Sequence, residues 1–198
     1  MPFESPSLLD AIRLATSFDE AGLLLLRRLL NMVAAELARS RFAQQGEVVR
    51  GLIHLRSEEA YRQVLVVSRA PGSGDWAIER NPATVASAKK WREVAERQSP
   101  VSSDASDAAP SAAEARPDRL GIGNATHVFS LPLRALSGTL DGMVCLEAQC
   151  PTALGENFIW DACTQRLQRC CDVAAPYLLQ LPGRPVPESM SNKFLPVL

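Results

Sequence analysis

The segment Val128–Gln149, VFSLPLRALSGTLDGMVCLEAQ, consists of two apolar runs separated by a short polar turn. Valine, leucine and phenylalanine dominate the runs, and Ser137 and Gly138 lie between them. Two such runs on either side of a glycine-containing turn are typical of a β-hairpin. The segment therefore predicts a buried hairpin, and it contains no pattern of catalytic residues.

Long amphipathic helices are predicted toward both ends of the chain. Ser17 is expected to cap the first, which runs to Arg41, because Glu20 follows three residues later as in a capping box. The second covers residues 155–180, and Pro176 is expected to kink or end it. Apolar residues spaced three and four apart in both helices form a predicted dimer seam: Leu23, Leu26, Leu30, Val33, Leu37, Trp160, Cys163, Leu167, Cys170, Ala174 and Tyr177.

The apolar surface of the first long helix is wide, because Leu25, Leu29 and Met32 form a second stripe beside the seam. One stripe could cover a sheet while the other meets a partner helix. Both could instead form one broad stripe buried in the chain's own core. The spacing alone leaves these alternatives open.

Two further runs, Val48–Arg56 and Tyr61–Ser68, predict a second hairpin, and a short third strand is expected to begin at Trp76 and Ile78. Side chains alternate between the two faces of a strand. In the first run, one face would carry Val49, Gly51, Ile53 and Leu55, and the other would carry Arg50, Leu52, His54 and Arg56. The second set looks like a polar sheet face. We expect His54 to be exposed or satisfied by ordinary partners there, rather than to bind haem or a metal.

The remaining segments define the domain organisation. Residues 1–16 form an N-terminal extension with a short helix, and residues 17–180 form one domain. Residues 99–119 are rich in Ser, Asp, Ala and Pro, which predicts a flexible insertion. Four prolines within residues 181–198 predict an extended linker.

Composition excludes several classes of protein. The chain is 46% hydrophobic and 22% charged, with a net charge of -1 and no basic block, so direct nucleic-acid binding is not expected. The most apolar run, Ala21–Leu26, is far shorter than the roughly 20 residues of a membrane span. The N-terminus shows no secretory-signal pattern, and we expect a cytoplasmic protein.

The five cysteines are odd in number and clustered late in the chain, which does not suggest a disulfide framework. They form no CxxC pair, so no metal site is predicted. Cys163 and Cys170 lie on the apolar stripe and are expected to be buried. The sequence contains no catalytic triad or glycine-framed nucleophile, and we expect no enzyme. A cysteine-dependent redox enzyme using Cys145 or Cys150 is an alternative.

Several motifs resemble those of GAF domains, a sensor family related to PAS. Ser130–Arg134 (SLPLR) and Gly142–Glu147 (GMVCLE) are similar to the closing hairpin of that family. Trp91–Val94 followed by Ser99–Val101 resembles a helix ending in "PV" that GAF domains often have at this place. Val173–Leu178 (VAAPYL) is similar to the end of GAF domains that precede the AAA+ module of bacterial enhancer-binding transcriptional regulators. The resemblance covers roughly residues 17–180.

This resemblance implies an α+β fold in which a central antiparallel sheet carries the N- and C-terminal helices on one face and a pocket on the other. GAF domains bind cyclic nucleotides, tetrapyrroles, amino or keto acids, or nothing, and many dimerise through their terminal helices. By analogy, the ligand-binding residues are Trp76, Trp91, His127, Phe129 and Glu147. Phe129 could instead belong to the core, and Glu147 could cap a loop or lie in solvent.

The function implied is that of a regulatory small-molecule-sensing and dimerisation domain in a bacterial signalling or transcription-regulatory protein. Its partners would be a small-molecule effector, a second copy of the chain, and an output domain or partner protein. The sequence identifies neither the effector nor a cofactor. A structural dimerisation or protein-interaction module without a ligand is the main alternative.

Overall fold

The computed structural model describes residues 7–39, 47–56, 61–69, 76–80, 94, 97, 99–104, 124–151 and 160–184. Within these residues the chain is α+β, as the sequence predicts. The helices are α1 (Leu8–Leu14), α2 (Phe18–Arg39) and α3 (Trp160–Leu178). The strands are β1 (Glu47–Arg56), β2 (Tyr61–Arg69), β3 (Trp76–Arg80), β4 (Val101–Asp104), β5 (Asn124–Arg134) and β6 (Leu140–Pro151).

The strands form one sheet in the order β3-β2-β1-β6-β5-β4, and every neighbouring pair is antiparallel. Both predicted hairpins are present as β1–β2 and β5–β6. The prediction of a flexible insertion is wrong for Val101–Asp104, because these residues form β4 and pair with His127–Ser130 of β5. Residues 105–119 of that prediction lie outside the described residues.

All three helices lie on one face of the sheet, as expected for the terminal helices. Side chains of β1, β2, β5 and β6 alternate toward this face and join the helices in one core, whose sheet members include Ile53, Leu65, Phe129, Val144 and Leu146. Each of these five side chains is fully buried. Their removal from water is worth about 1.5–3 kcal/mol apiece, so this interface is the main source of stability.

Helix α2 approaches the sheet most closely at Gly22. A β-carbon built there would lie 2.9 Å from Leu65 Cδ2 and 3.1 Å from Ile53 Cδ1. Glycine therefore sets the distance between α2 and the central strands, because any side chain would displace the helix or the core residues beneath it.

The N-terminus of α2 confirms Ser17 as the capping residue. Ser17 Oγ accepts a hydrogen bond from Glu20 N at 3.3 Å. The reciprocal bond differs from the predicted box: the Glu20 carboxylate accepts from Thr16 N at 2.8 Å rather than from the backbone of Ser17. Helix α2 ends at Arg39, and the predicted end at Arg41 lies outside the described residues.

Helix α3 runs antiparallel to α2, since Arg166 contacts Glu36 whereas Cys170, further along α3, contacts Met32. Pro176 lies in the last turn of α3 without ending it at that residue. The linker prediction is wrong for the first residues after α3, because Pro182 O accepts a hydrogen bond from Phe18 N at 2.9 Å. Residues 185–198 lie outside the described residues. No helix in the described ranges has both the length and the apolar character needed to cross a membrane.

Candidate functional site

The sheet face turned away from α1, α2 and α3 carries the polar groups with the most unusual surroundings. We call it the distal face. Cross-strand partners in an antiparallel pair point to the same side, so the strand register defines its members. They are Arg50, Leu52 and His54 of β1, Val66 of β2, Val128, Ser130 and Pro132 of β5, and Met143, Cys145 and Glu147 of β6.

A charged pair lies toward one end of the distal face. Arg50 Nε contacts Glu147 Oε2 at 2.7 Å, and Arg50 Nη2 contacts Glu147 Oε1 at 3.1 Å. The side chains are only 23% and 17% exposed. A bulge in β1 between Val48 and Arg50 sets the register that places these two residues opposite each other. The result is a partly buried, two-point ion pair, which has a fixed geometry as well as charge.

The middle of the distal face is apolar but contains two buried polar side chains. Cys145 lies between its cross-strand partners Leu52 and Ser130, and all three are at most 5% exposed. Ser130 Oγ lies 3.9 Å from Cys145 Sγ, which is a weak contact involving sulfur. The hydroxyl and thiol thus lie within a cluster that otherwise consists of side chains such as Val66.

Val94 shows that the distal face is covered at this point. It is helical, 1% exposed, and belongs to the same apolar cluster as Leu52, Met143 and Cys145. Val94 therefore packs onto the distal face. Any ligand that contacts the middle of this face would lie beneath or beside Val94.

His54 lies on the predicted side of β1, together with Arg50 and Leu52. Its side chain is 3% exposed, so the exposed alternative is wrong, whereas a histidine satisfied by ordinary partners stays a prediction. It lies opposite Met143 of β6 and Gln63 of β2. The polar face expected from the alternation of β1 is largely apolar, because the neighbouring strands contribute aliphatic and sulfur-containing side chains. Within the described ranges, no three His, Cys, Asp or Glu side chains form a group that could hold a metal ion.

Of the five predicted ligand-binding residues, the three whose side chains are described do not lie together. Glu147 lies on the distal face, in the ion pair described above. Phe129 is fully buried in the helix-side core, which confirms the core alternative, and Trp76 packs against that same core. The Trp91 residue and the His127 side chain lie outside the described residues, although the backbone of His127 pairs with Ala148.

Sequence reasoning did not single out Arg50, Ser130 or Cys145 as members of one site. The alternation of β1 placed Arg50 and His54 on one side, which was a usable signal. Arg50 and Glu147 are 97 residues apart, and only the pairing of β1 with β6 brings them together. Ser130 lay in the quoted hairpin, but nothing local marked its hydroxyl as buried.

The cysteines of α3 have properties of core residues. Burial raises the pKa of Cys163, with Glu36 adding to the effect and Arg166 opposing it. Burial also raises the pKa of Cys170 and, much more strongly, that of Cys171. Cys170 Sγ contacts Met32 Sδ at 3.6 Å. A raised pKa disfavours the thiolate, which is the nucleophilic form of cysteine.

The predicted dimer seam coincides largely with the core of a single chain. Seven of its residues are buried between the helices and the sheet: Leu26, Leu30, Val33, Leu37, Cys163, Leu167 and Ala174. Leu25 and Leu29 are fully buried in the same core, as the broad-stripe alternative predicts. Leu23 and Cys170 are partly buried, Tyr177 is 40% exposed, and the side chain of Trp160 lies outside the described residues. Dimerisation itself stays a prediction.

No protein-family model matches the sequence, and no curated protein is significantly similar to it. The functional argument therefore depends on the arrangement of residues in this chain.

Proposed function

We propose that this chain is a regulatory domain of the GAF type, which senses a small molecule and dimerises within a bacterial signalling or transcription-regulatory protein in the cytoplasm. The observation that carries the proposal is the distal face. This face carries a partly buried Arg50–Glu147 ion pair and the buried polar side chains of His54 and Ser130, surrounded by apolar side chains. A few fixed polar groups in apolar surroundings are typical of small-molecule sites.

The sheet supplies a path from this face to the helices. Along β6, Met143, Cys145 and Glu147 belong to the distal face, whereas Val144 and Leu146 belong to the core beneath α2 and α3. If β6 can occupy two positions, a ligand with higher affinity for one of them increases the population of that position. It then also favours the packing of α2 and α3 that is compatible with that position of β6. Sensing would then be a shift between two populations rather than a chemical step.

The proposed homodimer would use the outer surface of the helices, because the apolar stripes on their inner side are already buried in the core of the single chain. Leu14, Val173 and Tyr177 are 78%, 48% and 40% exposed, respectively. Arg13 donates a hydrogen bond to Tyr177 Oη at 2.9 Å and lies 5.0 Å from the centre of its ring, so α1 and α3 present these residues together. A second copy and an output domain or partner protein are the proposed partners, without direct contact to nucleic acid.

A structural dimerisation module is the second candidate. The observation that favours it is the burial of Leu52, Val66, Cys145 and Met143, each under 9% exposed, beneath neighbours that include Val94. If this cover is permanent, the distal face is simply a second core.

Native mass spectrometry of the purified chain, compared with its denatured mass, tests both candidates. Sensing predicts a dimer that carries extra small-molecule mass, and a Glu147→Ala variant should lose that mass while remaining folded and dimeric. Arg39→Ala is the matched control, because it removes an exposed charge from α2 far from the distal face. A bare dimer supports the structural module. A bare monomer contradicts both, whereas a Tyr177→Asp variant that turns a dimer into a monomer would support the proposed surface.

A further inference from the structure

The residues that follow α3 turn back onto the sheet. Leu179–Arg184, called here the strap, begins with two turn-like hydrogen bonds: Gln180 N donates to Tyr177 O, and Leu181 N donates to Leu178 O. Gly183 has φ of 77°, a left-handed conformation that glycine adopts without strain. This turn directs Arg184 toward the end of the β5–β6 hairpin.

Arg184 holds the strap at two points. Its Nη1 donates to Leu179 O at 3.2 Å, which satisfies a carbonyl left open after the last turn of α3. Its Nη2 contacts Asp141 Oδ2 at 3.3 Å. One guanidinium therefore joins the C-terminal end of α3 to β6. The hydrogen bond from Phe18 N to Pro182 O ties the same strap to the start of α2.

Asp141 occupies a special position in β6. Leu133 pairs with Gly142 and Arg134 pairs with Leu140, so Asp141 is the extra residue of a β-bulge. Its carboxylate also accepts a hydrogen bond from Thr139 Oγ1 at 3.0 Å.

This bulge lies close to the distal face, because Met143 follows Asp141 by two residues and belongs to that face. Leu140 and Met143 are members of the apolar cluster that contains Cys145 and Val94. A small movement of β6 at Met143 would therefore also displace Asp141, which lies only two residues away along the strand. Because a bulge interrupts the regular ladder, the strand can change its local path there more easily than within a continuous pairing.

We propose that the distal face is coupled to the strap, and that the Asp141–Arg184 contact is the connection between them. This inference rests on the proposed function, since it names how a sensor of this kind would report the state of its face. When β6 is in its present position, the contact closes and the strap is held against α2 and α3. When β6 moves, the contact opens and releases the strap.

Hydrogen exchange of the full chain tests the joint. Asp141→Asn and Arg184→Gln each keep a polar side chain but remove one charge. We expect each to speed exchange of the Gln180 and Leu181 amides by up to about fivefold, as for a partly exposed ion pair, and the double variant to add nothing further. Arg39→Gln, which breaks an exposed pair with Glu36 on α2, is the control and should leave these amides unchanged. Unchanged exchange in Asp141→Asn would overturn the proposal.

Transmission from the distal face is tested with Met143→Ala, and with Met143→Leu if the first variant does not fold. Exchange at the strap is compared with exchange at Leu29, a fully buried residue inside α2, to remove any global loss of stability. When Asp141 is present, we expect the Met143 substitution to increase the exchange rate of the strap amides, relative to that of Leu29, by at least about threefold. In the Asp141→Asn background, we expect the Met143 substitution to cause no such increase. An equal gain in both backgrounds would overturn the coupling.

The outcomes separate this inference from the proposed function. The exchange experiments use unliganded protein, so a distal face that binds nothing in native mass spectrometry leaves their result unaffected. A chain that binds a small molecule but shows no strap response would retain the sensor proposal and reject the strap.

Discussion

Replacing Glu147 with Gln should test the energetic importance of the distal face directly. The substitution keeps the shape of the side chain and removes the charge that faces Arg50. Exposed ion pairs are worth about 0.2–1 kcal/mol, whereas breaking a buried pair costs about 3–5 kcal/mol. The exposures of 23% and 17% place this pair between those limits. We therefore expect a loss of about 2 kcal/mol in the free energy of unfolding.

A double-mutant cycle isolates the interaction between the two side chains. Urea unfolding of the wild type, Glu147→Gln, Arg50→Met and the double variant gives the coupling energy, which we expect to exceed about 1 kcal/mol. A loss of about 2 kcal/mol should lower the melting temperature by about 4–8 °C for a chain of this size. The matched pair is Arg80–Asp19, at 2.8 Å but 55% and 34% exposed, for which we expect a coupling under about 1 kcal/mol.

The reasoning fails if the two cycles give the same coupling. A value under about 0.5 kcal/mol for Arg50 and Glu147 would mean that water screens this pair as it does a surface contact. The distal face would then lack the fixed charged element on which the sensor proposal depends.

Two further predictions concern packing and ionisation. Gly142→Ala should lower the free energy of unfolding, measured in urea, by about 1–3 kcal/mol, because the new β-carbon would lie 2.7 Å from the backbone carbonyl oxygen of His54. Gly138→Ala should lower it less, because Gly138 has φ of 81° but open space around it. The reverse order of the two losses would contradict this account. The pKa of Cys171 is raised by burial, so its contribution to stability should be constant below the ordinary thiol value of 9.0 and decline as the pH rises above it, where only the unfolded thiol ionises. The corresponding measurement is urea unfolding of the wild type and Cys171→Ala between about pH 7 and pH 10. A wild-type stability that falls no more steeply than that of the variant would refute the assignment.

Local sequence signals predicted most elements because they act over a few residues. The capping serine at position 17, the two apolar runs around Ser137–Gly138 and the three-four spacing in α2 each favour one backbone conformation on their own. Composition was a weaker guide. It placed Val101–Asp104 in a flexible insertion, although pairing with the edge of β5 overrides the low strand propensity of serine and aspartate.

The sequence by itself determined the α+β class, the two hairpins and the amphipathic helices, because hydrophobic periodicity and turn residues are encoded within single elements. Only the tertiary structure decided which stripe of α2 is buried, that His54 is inside, and that Arg50 meets Glu147 and Arg184 meets Asp141. These outcomes depend on strand order, register and bulges. They arise from contacts between residues far apart in the chain, which no local pattern records.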